Sequence, residues 1–228
     1  MIRILPRLVL GLIIGLVLSA SSVAQNKPAR YANVVIGQET FGVITSDDSQ
    51  LVEGLLGSGF VIDSNLIITC YHVFSEPAVK PKFFIDNLGT EFNIELYDSL
   101  PVFDIAIYKS DRKITYRPIK LGSYDNLNIG DSIFYLGYDV SKKSHVISLA
   151  TIGKKYSILT KDSLIYCITF DGTAIPGYSG GPIFDSNGQV VAVIDQLVYI
   201  RNDDHPILLY NIGYSIKPLI SHLNHLKE

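Results

Sequence analysis

The sequence predicts an all-β fold in two halves of about six strands each, closed by a short terminal helix. Three observations predict it. Short runs rich in Val, Ile, Phe and Tyr recur from residue 33 onward with turn compositions between them, the pattern of a sandwich or a pair of barrels. A helical period is confined to the chain's end, where Leu219, Ile220, Leu223 and Leu226 recur every three to four residues after Pro218. The strand series divides near residues 118–126, with no internal repeat, low-complexity tract or second-domain linker.

The first series comprises residues 33–36, 59–62, 66–70, 82–85, 92–97 and 105–109. The second comprises 132–138, 146–152, 163–170, 182–184, 190–194 and 207–216. Between runs stand Asp63-Ser64-Asn65, Asn87-Leu88-Gly89, Asn128-Ile129-Gly130 and Ser186-Asn187-Gly188, whose side chains bond their own backbone or tolerate positive φ. Asn187-Gly188 between two apolar runs is the strongest hairpin signal.

Residues 1–24 read as a leader outside the fold. Arg3 and Arg7 precede an apolar run from Leu8 to Leu18, and Ser22-Val23-Ala24 supplies small residues for cleavage before Gln25. The run is short of the ~20 residues that span a bilayer, so export is expected over an uncleaved anchor, with no stable membrane insertion after cleavage. Net charge is −3, and without Arg3 and Arg7 17 basic residues face 22 acidic ones. Such a surface argues against nucleic acid as a partner. Cys70 and Cys167 each lie inside an apolar run and are expected to be buried free thiols, although an exported chain could oxidise them.

The most specific stretch is Gly177-Tyr178-Ser179-Gly180-Gly181-Pro182. A serine hydroxyl is a weak nucleophile at neutral pH and needs a base beside it and a bare backbone around it. Flanking glycines permit otherwise closed dihedrals, so that the Gly177 and Ser179 amides can converge as an oxyanion hole. The hexapeptide resembles the active-serine motif of the trypsin/chymotrypsin superfamily. Gly57-Ser58-Gly59-Phe60-Val61-Ile62, leading to Leu66-Ile67-Ile68-Thr69-Cys70-Tyr71-His72-Val73-Phe74, is similar to the histidine segment of the bacterial high-temperature-requirement (Deg-type) proteases. Asp104-Ile105-Ala106-Ile107 matches their aspartate strand, and Tyr210-Asn211-Ile212-Gly213-Tyr214-Ser215-Ile216 their last barrel strand.

That resemblance implies a chymotrypsin-like fold of two six-stranded antiparallel β-barrels, about residues 31–118 and 119–217, with a helix over about 218–228. It implies a catalytic triad of His72, Asp104 and Ser179 acting on protein or peptide substrates through an acyl-enzyme, with no cofactor or metal. Thr173, six residues before the serine, is expected to floor the specificity pocket, with Ile194 and Asp195 walling the substrate groove. No carboxylate stands at 173, so a small or medium apolar side chain is expected there instead of Arg or Lys. Tyr178 replaces the aspartate of digestive trypsin relatives, which argues against their activation switch, and is expected to shield the site in part. The Deg-type binding domains are missing from this sequence, so their cage assembly is not carried over. His145, His205, His222 and His225 lack comparable context, and the His222/His225 pair is expected on a solvated helix face.

Two rival classes share part of this pattern. Gly177–Gly181 also fits the G-x-S-x-G elbow of an α/β-hydrolase, but Pro182 and a β-run follow where that fold needs a helix. The second is a latent protease-fold binding or sensing module, against which an intact triad argues.

Overall fold

The computed structural model describes residues 41–45, 55–75, 81, 83–86, 88–115, 118–139, 142, 144–202 and 205–226. The leader and the strand expected at 33–36 lie outside the described residues. Among the described residues, twelve strands close into two antiparallel barrels of six. The N-terminal barrel runs in the order β1-β2-β3-β6-β5-β4, from β1 (Phe41–Thr45), β2 (Leu55–Asp63), β3 (Leu66–Cys70), β4 (Phe83–Asp86), β5 (Glu91–Leu100) and β6 (Ile105–Ser110). The C-terminal barrel repeats that order as β10-β11-β12-β9-β8-β7, from β7 (Ser132–Asp139), β8 (Ser144–Leu159), β9 (Leu164–Phe170), β10 (Pro182–Phe184), β11 (Val190–Asn202) and β12 (His205–Ser215). A one-turn helix, α1 (His72–Ser75), leaves β3, and α2 (Lys217–His225) ends the fold.

Apolar side chains fill each barrel. Ile44, Phe60, Ile68, Phe84 and Ile107 are fully buried in the first half, and Tyr135, Ile168, Ile183, Val191 and Ala192 in the second. Turn chemistry sets the corners. Asp185 accepts the Asn187 and Gln189 amides on one carboxylate oxygen, and Gly188 takes φ 74°, closing the β10–β11 hairpin at the Asn-Gly pair. Asp86 does the same for the β4–β5 turn through the Leu88 and Thr90 amides.

The segment between barrels is pinned at both ends. The Ile119 amide donates to Val61 of β2, whereas the Gly122 amide donates to Val190 of β11. At the terminus Leu219 of α2 is fully buried, and His222 reaches Asp98 on β5 at 2.7 Å. The solvated pair expected of this helix is thereby corrected: His222 has a carboxylate partner and is half-buried, while His225 is exposed. His145 stacks edge-on against Tyr138 at 5.2 Å, and burial pushes its imidazole down to about 4. The side chain of His205 is outside the described residues. No helix among the described residues is long and apolar enough to cross a membrane.

Candidate active site

The candidate groups sit where strands end and on the loops that follow them. β3 ends at Cys70, the chain bends at Tyr71, and His72 opens α1. Asp104 caps the 3-10 turn at Pro101–Phe103 in a left-handed conformation, φ 51° and ψ 43°. It is the one non-glycine with positive φ among the described residues. Aspartate tolerates that region better than most side chains, and the twist turns its carboxylate onto His72. Both partners are then locked. The His72 backbone amide donates to Asp104 Oδ1 and its ring Nδ1 to Oδ2, each at 2.7 Å, while the Tyr71 amide donates to the Asp104 carbonyl at 3.1 Å. A carboxylate only accepts, so Nδ1 carries the proton and Nε2 presents a lone pair.

The hydrogen bond that its ring donates to Asp104 raises the His72 imidazole above its usual 6.5 against the opposing effect of burial, with help from the Asp104 and Asp195 charges. Burial works to raise the Asp104 carboxyl as well, but its bonds with His72 and Asp195 and the His72 charge outweigh that and lower it. The pair is therefore poised as an oriented base.

Ser179 sits on a loop shaped by glycine. Gly177 has φ 100° and the Tyr178 amide donates back to Ile175 at 3.0 Å, the type II turn that Pro176-Gly177 favours. Gly180 takes φ 86°, and a Cβ there would lie 2.2 Å from both the Ser58 carbonyl and Thr69 Oγ1. The amides on either side are consumed: Tyr178 by Ile175, Gly180 by Ile194 and Gly181 by Tyr178. Among the described residues the Gly177 and Ser179 amides have no acceptor, as an oxyanion site requires. The Ser179 hydroxyl donates to the Asp195 carbonyl at 3.3 Å.

Ser58, which sequence reasoning did not single out, holds this loop from the other barrel. Its hydroxyl donates to the Gly177 carbonyl at 2.6 Å and accepts the Tyr138 amide at 3.1 Å. Its own amide donates to the Ser179 carbonyl at 2.8 Å. Gly57 permits the approach, since a Cβ would lie 2.7 Å from the Ser179 carbonyl. A polar residue set between two glycines at the start of an apolar strand was the available signal.

The residues expected to contact substrate fall in three places. Thr173 is exposed on the loop before Ser179, and its amide donates to the Tyr135 hydroxyl at 3.0 Å. Fully buried Asn211 braces the same loop, donating to Phe170 and Gly172 carbonyls and accepting the Ala174 amide. Ile194 is 2% exposed and packs in the C-terminal core, where its backbone receives Gly180 and Cys70, so its side chain walls no open groove. Asp195 is buried too, but against His72 at 3.6 Å. Tyr178 corrects a further expectation. It lies in the C-terminal core with its ring over Gly137, where a Cβ would meet ring carbons at 2.3 Å, and so does not shield the site. Cys70 and Cys167 are free and buried, and the Cys70 thiol donates to Ile194 at 3.2 Å.

A family profile described as trypsin-like peptidase domain matches residues 57–193, which hold both glycine-flanked segments and the His72–Asp104 pair. The chain belongs to this trypsin-like peptidase family. A probable periplasmic serine endoprotease, DegP-like, of Pseudomonas putida (strain W619) is 30% identical over 151 residues, covering 66% of this chain and 31% of the relative. Protease Do-like 5, chloroplastic, of Arabidopsis thaliana is 28% identical over 164 residues, covering 66% of this chain and 50% of that protein. The chain thus spans between about a third and a half of these curated relatives. Among solved structures, the HtrA-type protease AlgW with tripeptide superposes with TM-score 0.67 at 20% identity, covering 87% of this chain and 64% of the other. The MamO protease domain of Magnetospirillum magneticum gives TM-score 0.62 at 15% identity, covering 82% and 96%. At those identities the likeness is one of fold.

Proposed function

We propose that this chain is an exported serine endopeptidase in which His72, Asp104 and Ser179 form the triad. The observation that carries the reading is the doubly bonded His72–Asp104 pair on one barrel, with the glycine-shaped Ser179 loop clasped to that barrel through Ser58. In the proposed mechanism His72 Nε2 takes the Ser179 proton as Oγ attacks the scissile carbonyl. Asp104 keeps the ring in the Nδ1–H tautomer and stabilises the imidazolium, and the Gly177 and Ser179 amides bind the oxyanion. His72 then protonates the leaving amine, and water, deprotonated by the same ring, releases the acyl group.

Protein or peptide substrates follow from the family, with Thr173 at the floor of the specificity pocket and a small or medium apolar side chain entering it. Residues 1–24 act as the export leader, and residues 25–228 form the protease domain, in line with relatives named as periplasmic. The test is casein digestion by residues 25–228 and by Ser179→Ala. Digestion by the first and none by the second supports the reading. A folded wild-type protein that cleaves neither casein nor a peptide library between pH 6 and 9 overturns it in favour of a latent binding module.

A further inference from the structure

Two carboxyl groups, Asp195 buried and Asp104 partly exposed, converge on one imidazole nitrogen. Asp104 Oδ2 lies 2.7 Å from His72 Nδ1, and Asp195 Oδ1 lies 3.6 Å from the same atom. The Asp195 side chain is 3% exposed, and its Oδ2 has no hydrogen-bond partner among the described residues. One oxygen of each carboxylate, the ring nitrogen and the Cys70 thiol all lie within 4.8 Å of one another. Two carboxylates this close do not readily both stay ionised when one of them, Asp195, is cut off from water, because each charge opposes the other and the buried one is not solvated. The geometry decides which one takes the proton. Asp104 receives the His72 amide and the His72 ring, two bonds that favour its ionised form, whereas Asp195 has one such bond, from Tyr214, and its Oδ2 receives none.

We propose that Asp195 is a positioning residue for the triad: its carboxyl group holds a proton that it shares with Asp104, so that the pocket behind His72 carries one negative charge instead of two. The inference rests on reading His72, Asp104 and Ser179 as the triad. The shared O–H gives the Asp104 carboxylate a further donor beside the two from His72, and it holds the carboxylate square to the imidazole. Asp195 is also coupled to the nucleophile through its main chain, since its carbonyl accepts the Ser179 hydroxyl.

A cation in the same place is the competing occupant. Donor atoms around a tetrahedral zinc ion with bonds of about 2.0–2.3 Å stand about 3.3–3.8 Å apart. The 2.7 Å contact between His72 and Asp104 is a hydrogen bond and leaves no such room.

The other groups around Asp195 stay neutral through the working range. Burial holds up the Cys70 thiol on β3, the Cys167 thiol on β9 (to about 11), the Tyr156 phenol on β8 (to about 12) and the Tyr214 phenol on β12. Burial and the Asp104 contact push the Asp195 carboxyl up to about 7, so its proton is lost near neutrality. The new charge then favours imidazolium and delays the appearance of the base. An asparagine side chain in the same place has the same shape, donates to Asp104 and never charges.

The test is the titration of His72 by NMR in histidine-labelled Ser179→Ala protein, with and without Asp195→Asn, the resonance being assigned by its loss in His72→Gln. The expected result is a midpoint at least about half a pH unit lower in the Asp195→Asn protein, equivalent to about threefold more neutral imidazole on the acid limb. The Asp195 carboxyl carbon should titrate near pH 7 in the parent. Equal His72 midpoints, or an Asp195 carboxyl already ionised at pH 5, would overturn the proposal. In the active enzyme Asp195→Ala should lower kcat about tenfold with KM unchanged, and Asp195→Asn should restore it; equal kcat for Asp195→Ala and parent also overturns it. Because the NMR readout needs no turnover, a shifted midpoint in a protein that cleaves nothing would uphold the Asp195 assignment while the protease reading falls.

Discussion

Ser58→Ala removes one oxygen from a place where three segments meet. The hydroxyl donates to Gly177 at 2.6 Å and accepts from Tyr138 at 3.1 Å, and the residue is 3% exposed. Alanine therefore strands one carbonyl and one amide in the interior. Each buried group left unsatisfied costs about 1–3 kcal/mol, so the pair costs roughly 2–6 kcal/mol, with a small further loss for the missing oxygen's contacts. That is a large part of the ~5–15 kcal/mol that holds a domain folded, yet it is survivable, because the Ser58 amide keeps its bond to Ser179. The catalytic effect follows from the same geometry. With its carbonyl released, the Gly177 peptide can rotate, and the proposed oxyanion donor drifts from its aim. Losing such a donor outright costs about 10²–10³ in rate, so a loosened one should cost about 10–10². The stability term is read by urea unfolding in a Ser179→Ala background, and the rate term by fluorophosphonate labelling of Ser58→Ala. A loss under about 0.5 kcal/mol, the size of an ordinary surface substitution, together with an unchanged labelling rate, would refute the reasoning.

Gly180→Ala places a methyl group 2.2 Å from the Ser58 carbonyl and Thr69 Oγ1 at φ 86°, so labelling should vanish and the melting temperature fall sharply. Near-parental values of both would show that the loop has room to move. For the rate profile, Asp104 raises His72 above 6.5, so kcat/KM should decline in acid with a midpoint above 6.5. A midpoint well below that value would mean another group is the base. For stability, Asp195 is raised to about 7, against an unfolded value of about 3.9. Below about pH 4 both states hold the proton. Between about pH 4 and 7 only the folded state does, so stability from this group falls as pH rises, and it is level above about 7. Melting curves of parent and Asp195→Asn should thus diverge across about pH 4–7 in favour of the asparagine variant, by a few kcal/mol at most. Parallel curves would count against a neutral Asp195.

Where strands are bounded by turn chemistry the sequence was readable to the residue. β3 and β10 keep the ends expected of them, because Asn65 and the Gly180-Gly181 pair stop them sharply. β1 escaped notice since its second residue is Gly42, a glycine demanded by the Ile85 carbonyl, which a Cβ would approach to 2.1 Å. β8 runs on to Leu159, well past its expected end at Ile152. Its continuation through Gly153, Lys154 and Lys155 carries little apolar alternation, and most of its side chains are exposed or half-buried. Ser179, His72 and Asp104 could be singled out because each has a local sequence setting: glycines around the serine, an apolar strand before the histidine and one after the aspartate. Asp195 was legible only as an acid ending an apolar run. Its meaning needs the return of β11 beneath α1, a contact between residues far apart in the chain that no local pattern encodes.

The most direct measurement is the intact mass of the wild-type protein after reaction with a fluorophosphonate, followed by peptide mapping. The account predicts one adduct per chain, located on Ser179, and none on Ser179→Ala or His72→Gln. A folded protein that takes up no label, or takes it up on a different serine, would contradict the account at its centre.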